Sequence, residues 1–345
     1  MAVTGDIRLT ELVSCGGCAA KYSAALLDDL VAALPVDTDP NLLVGLAPAD
    51  DAAVYRLDDE RALVFTVDFF PPIVDDPADF GAIAATNALN DVFAMGATAL
   101  VALSVAAFPE SLPGEAVSAV LGGAAAKVRE AGGVLAGGHT LRDEEPLYGL
   151  AVVGTVAPDA IWTKGGARPG DVVYLTKPLG TGLVVHGRKE GRVSDEVLAE
   201  AVGLMKTLNA EVAAVARTAR PHAVTDVTGF GLLGHAYEMA LRSGVRIDID
   251  AGALPVLPAA IELARAGVVT GGAPRNREYV GEALEIAGAS DAPARIAFDP
   301  QTAGGLLVAL PPERAGDFER ALRERQLTAA RVGAVSAGEG VRLSA

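Results

Sequence analysis

The chain of 345 residues is short of cysteine, tryptophan and positive charge. Its two cysteines, Cys15 and Cys18, cannot supply the several bridges that staple a small secreted domain. Lys and Arg number 28 against 44 Asp and Glu, a formal charge of −16, which argues against a nucleic-acid groove built on bulk positive charge. No apolar run reaches the ~18 to 20 residues of a bilayer span. The longest, around Ala97 to Phe108, is interrupted by Thr98 and Ser104. Met1 to Glu11 carries Asp6, Arg8 and Glu11 where a signal peptide needs an apolar core. These absences lead to the expectation of a soluble, cytoplasmic protein with neither a membrane nor a nucleic acid as partner.

Glycine is plentiful instead: 39 residues, above the usual ~7% share, implying many turns or close ligand approaches. At about 150 residues per domain the length predicts two domains with ample core. Leu26, Leu27, Leu30 and Leu34 give Ser23 to Leu34 a helical spacing within an otherwise mobile N-terminal arm. Strand-like runs follow at Ala52–Leu57 and Ala62–Val67, then a Pro-rich loop and a helix over Asp79–Met95. A strand at Leu100–Ala107, a helix at Gly114–Ala131 and apolar runs near Val134 and Leu150 complete a first half. Pro158, Gly165, Gly166, Pro169 and Gly170 mark the boundary. The second half predicts strands at Asp171–Thr176, Val245–Ile249 and Leu306–Leu310, with helices at Ser194–Arg217, Phe230–Arg242 and Pro258–Ala266. Interleaved strands and helices place the chain in the mixed α/β (α+β) class. The regions are an arm (1–45), a first domain (46–157) and a second (168–345).

Asp50, Asp51, Asp68, Asp91 and Asp226 stand where strands and helices begin or end, or on a helix. Such carboxylates can converge on Mg²⁺, which prefers a few carboxylates plus phosphate oxygens, or each can be a plain cap or turn residue. Asn87 and Asp91 share a helical face that carries no Lys, Arg or Glu from Gly81 to Gly96, which suits a partly buried site. Gly229, Gly231 and Gly234 form a literal GxGxxG, either a phosphate cradle or a dinucleotide fingerprint with Asp248 and Asp250 downstream. Gly138, His139 and Thr140 form a second possible phosphate loop. Cys18 with Lys21 three residues on has the makings of an activated thiolate, since a nearby ammonium lowers a thiol's pKa. A redox pair Cys15–x–x–Cys18, or two incidental cysteines, remain open on spacing alone.

The sequence resembles the selenophosphate synthetase (selenide, water dikinase) family in ordered blocks nearly end to end. They include Ile7–Thr10, Asp39–Gly45, Asp50–Val54, Asp68–Phe70, Ala84–Asn87, Asp91–Gly96, Ala136–His139, Thr176–Gly180, Thr225–His235 and Asp299–Thr302. The resemblance implies the conversion of ATP, selenide and water to selenophosphate, AMP and orthophosphate with Mg²⁺. It places Cys18 and Lys21 as catalytic residues, and Asp51, Asp91 and Asp226 as metal ligands. Lys21, Asp50, Asp68, Asp91, Gly138, His139 and Thr140 become nucleotide contacts. The implied fold is that of the aminoimidazole ribonucleotide synthetase superfamily, two α/β domains forming a homodimer around a shared β-barrel. Ala20 departs from the family, which often has cysteine there, and Cys15 is extra, so a Cys15–Cys18 disulfide that silences the nucleophile is expected on oxidation. The rivals are a thiamine monophosphate kinase-like or hydrogenase-maturation ATPase, and a non-catalytic nucleotide or selenium sensor.

Overall fold

The computed structural model describes residues 8–13, 30–31, 33–34, 39–47 and 49–345. Most of the expected helix at Ser23–Leu34 lies outside the described residues, as do Cys15, Cys18, Ala20 and Lys21. The first half runs β1 (Leu42–Val44), β2 (Ala53–Arg56), β3 (Ala62–Phe70), α1 (Pro77–Ala94), β4 (Thr98–Phe108), α2 (Gly114–Glu130), β5 (Val134–Arg142) and β6 (Leu147–Val156). The second half opens with β7 (Val172–Leu175), α3 (Thr181–Lys189), α4 (Asp195–Met205), α5 (Ala210–Ala219), β8 (Ala223–Asp226) and α6 (Gly231–Ser243). It continues with β9 (Arg246–Asp250), α7 (Pro258–Arg265), α8 (Ala273–Val280), β10 (Leu284–Ala287) and α9 (Asp291–Phe298). It closes with β11 (Leu306–Leu310), α10 (Pro312–Glu324), β12 (Ala330–Ser336) and β13 (Gly340–Ser344).

Among the described residues the strands form two sheets, ordered β1-β2-β3-β6-β4-β5 and β10-β13-β9-β12-β7-β11-β8. The first is antiparallel except for β4 against β5; the second is parallel only where β13 meets β10 and β9. Neither is a closed barrel. The mixed α/β class agrees with the sequence reading.

Helix α1 is the centrepiece. Asp76 caps it by accepting from the Asp79 amide, and Pro77 fits its first turn because a proline lacks only an amide that has no helical partner there. From Phe80 to Ala94 every residue but Asp91 is buried, the polar Thr86, Asn87 and Asn90 included, so the helix is enclosed on all sides. One hydrophobic cluster runs from Val54, Leu89, Val92 and Tyr148 into Tyr174, Ala213, Val224 and Leu306, so the halves share a core. Trp162 of the linker is buried against Gly96, and its amide donates to the Met95 carbonyl.

Three expectations need correction. Asp68 does not close its strand, since β3 continues to Phe70. The helix read as Ser194–Arg217 is two, because the chain breaks to serve buried polar groups: Lys177 Nζ takes the Thr207 carbonyl, and Asn209 Nδ2 donates to Asn90 Oδ1 and the Gly304 carbonyl. The dinucleotide alternative fails, because β8 is an edge strand antiparallel to its neighbour β11 and β9 lies elsewhere in the sheet, so no parallel βαβ unit surrounds the glycines.

Candidate active site

The carboxylates singled out in the sequence meet at the seam between the halves. Asp51 leads into β2, Asp68 comes from β3, Asp91 from α1, and Asp226 ends β8. Burial, then the charges of Asp226, Asp68 and Asp51, hold the Asp91 carboxyl well above the usual carboxylate range. Asp50 is pushed up to about 7, by burial first and by Asp51 second. A like-charged group of this kind is costly without a cation.

Neighbouring side chains aim these acids. Thr66 Oγ1 donates to Asp91 Oδ2 at 2.5 Å, and Thr225 Oγ1 donates to Asp51 Oδ1 at 3.1 Å. Asn87 Nδ2 donates to Asp68 Oδ2, while Asn87 Oδ1 accepts from the Ala303 amide at 2.7 Å. Ala303 adopts a φ of 50°, unusual for a residue with a Cβ, and its carbonyl accepts from Lys177 Nζ at 2.7 Å. Burial brings the Lys177 amine down to about 7 against the opposing pull of Asp226. Lys164 Nζ lies 3.0 Å from Asp51 Oδ1; burial would depress its pKa, but Asp51, Glu238 and Asp50 outweigh that and hold it well above the usual lysine value.

The donor set fits a hard divalent cation. It is all carboxylate, it carries excess buried negative charge, and Asp51 Oδ2 is buried with no hydrogen-bond partner. Among the described residues no three His, Cys, Asp or Glu already form a ready metal-binding group. A cation here would draw its remaining oxygens from water or phosphate, as Mg²⁺ does. A cavity of about 290 Å³ opens beside Asp50, walled by Leu42, Val44, Leu46, Thr163 and Arg242.

Gly138, His139 and Thr140 stand apart from this group. They lie in the exposed edge strand β5, and the register sets Asp68, Leu150, Ser104 and Gly138 in one row. Three strand spacings separate its ends, about 14 Å. His139 falls in the next row with Val105, Gly149 and Phe69, on the opposite face from Asp68. Lys164 and Thr66 escaped the sequence reading, whereas Thr225 opened one of the blocks that carried the family resemblance. Lys164 was hidden in a stretch whose glycines and prolines read as a boundary, while Lys177 and His235 lay inside blocks that carried the family resemblance.

Residues 49–156 match the family described as AIR synthase related protein, N-terminal domain, and residues 168–345 match its C-terminal domain. The "Selenide, water dikinase" of Caldanaerobacter subterraneus subsp. tengcongensis is 46% identical over 319 residues, 92% of each chain. The chain belongs to the selenide, water dikinase family. A further member, from Pelobacter propionicus, is 45% identical over 94% of each chain. Solved structures share the fold of this chain at low identity. Thiamine-monophosphate kinase from Stenotrophomonas maltophilia superposes with a TM-score of 0.67 at 21% identity, covering 94% of this chain and 96% of that one. The hydrogenase maturation protein HypE of E. coli gives 0.66 at 22% identity, covering 92% of each.

Proposed function

We infer that the chain is a selenide, water dikinase, converting ATP, selenide and water to selenophosphate, AMP and orthophosphate. Its membership of that family over nearly the whole length is the observation that carries the reading. In this reading Asp51, Asp91 and Asp226 hold Mg²⁺, and Asp50 and Asp68 contact the nucleotide. In the cavity beside Asp50, Leu42, Val44 and Leu46 offer an apolar wall that suits a purine base. Asp51, Asp91 and Asp226 would hold the Mg²⁺, whose charge would offset the repulsion between these acids and the nucleotide's phosphates. Thr225, Thr66 and Asn87 orient Asp51, Asp91 and Asp68, so the acids need little rearrangement. Lys21 offsets charge on the transferred phosphoryl group and Cys18 receives or guides selenium; both roles rest on the family resemblance. The location proposed is the cytoplasm, and no helix among the described residues is long and apolar enough to cross a membrane.

We propose a homodimer as well. Phe65, Val67 and Phe69 point outward from β3 with exposures of 40%, 58% and 46%, and Leu103 shares a row with Val67 through Ala151. Aromatic and aliphatic side chains aligned on one sheet face suit a second copy. That packing would bring β5 with Gly138, His139 and Thr140 to the junction between copies.

Phosphorus NMR under anaerobic conditions tests the activity. With ATP, Mg²⁺ and selenide the protein is expected to yield AMP, orthophosphate and a selenium-coupled phosphate signal, all lost in Cys18→Ser. ADP as the sole product, or no turnover, overturns the reading.

A further inference from the structure

Lys164 sits in the linker between the halves, is 8% exposed, and holds both members of the acid pair. Its amide donates to Asp50 Oδ2 at 2.9 Å while its Nζ lies 3.0 Å from Asp51 Oδ1. On the other side Nζ is 3.4 Å from Glu238 Oε1 on α6. Glu238 Oε2 is in turn 3.0 Å from His235 Nδ1, and His235 Nε2 is 3.3 Å from Thr228 Oγ1. A single buried ammonium is therefore shared between a carboxylate of each half.

We propose that Lys164 is a positioning residue and resident counter-cation: it fixes Asp51 through Oδ1, leaves Oδ2 to face a divalent cation, and by its charge limits how tightly that cation binds. The inference rests on the reading of Asp51 as a divalent-cation ligand. Burying an ammonium requires compensation, and Glu238 supplies part of it. Asp51 is thereby only partly neutralised and keeps negative charge for an incoming metal. Without Glu238 the whole ammonium charge would fall to Asp51. Without Lys164 the acids would attract a cation more strongly. Even at the dielectric of bulk water, ~80, a unit charge a few ångströms from a divalent ion changes its affinity by about tenfold or more.

The test is titration of the nucleotide-free protein with Mn²⁺, following the free ion by electron paramagnetic resonance. Lys164→Gln keeps an amide donor for Asp51 but loses the charge, and is expected to bind Mn²⁺ about tenfold more tightly. Lys164→Arg retains the charge and should match wild type, whereas Glu238→Gln should bind severalfold more weakly. Opposite shifts in the Gln variants are the signature, because a merely structural role would weaken both. Unchanged or weaker binding by Lys164→Gln overturns the proposal, as does Lys164→Arg shifting as far as Lys164→Gln. Should Lys164→Gln fail to fold, Glu238→Gln decides, and wild-type affinity in that variant overturns the proposal. Asp51→Asn separates the layers. If it binds Mn²⁺ like wild type, the ligand reading falls and this inference with it; if it binds weakly while Lys164→Gln is unshifted, only the role of Lys164 is lost.

Discussion

Asp50 and Asp91 keep their protons to higher pH in the folded protein than a free carboxylate does, because burial and neighbouring acids disfavour the charge. The folded state therefore binds more protons than the unfolded chain across the interval from about 4 to about 7, and stability must fall as pH rises through it. Calorimetry of the metal-free protein is expected to show its melting temperature decreasing from about pH 5 to about pH 7.5. Asp50→Asn should shrink that slope, and saturating Mg²⁺ should flatten it. A slope of the opposite sign would contradict the acid group's electrostatics. At this scale the sequence revealed the acids but not their partners. An aspartate at the end of a strand is visible in one dimension, whereas the Thr66 and Thr225 hydroxyls reach Asp91 and Asp51 across 25 and 174 residues.

Among elements, α1 against α2 is the contact that sets the position of Asn87 and Asp91. A Cβ on Gly123 would stand 2.0 Å from the Ala78 carbonyl oxygen, whereas one on the adjacent Gly122 would meet nothing within 4 Å. Gly123→Ala should push the helices apart and cost about 1–3 kcal/mol. Gly122→Ala should stabilise by about 0.5–1 kcal/mol through helix propensity alone. Urea unfolding of the two variants measures both, and Gly123→Ala should also lower turnover by displacing Asp91. Helices α1 and α2 were legible because their apolar patterns run for several turns with clear stops. Of the eight-residue helices, α7 was read but α8 and α9 were not, so few turns leaving periodicity a weak guide. The break between α4 and α5 was invisible for a different reason: it answers Lys177 and Asn90, residues distant in sequence.

For the whole molecule, the outward row of β3 is the surface most out of place in water. Val67→Glu is expected to convert the proposed dimer to monomer in sedimentation velocity; an unchanged species would remove β3 from the interface. The glycines and prolines between Val156 and Gly170 read as a boundary, but the packing of that stretch was not legible. What looked like a spacer is pinned by Lys164 to the acid pair and by Trp162 to the end of α1. Trp162 is also the chain's one tryptophan. The protein thus carries its own optical probe at the seam, and a red shift of its emission would report wetting of the joint between the halves, whichever half loosens first.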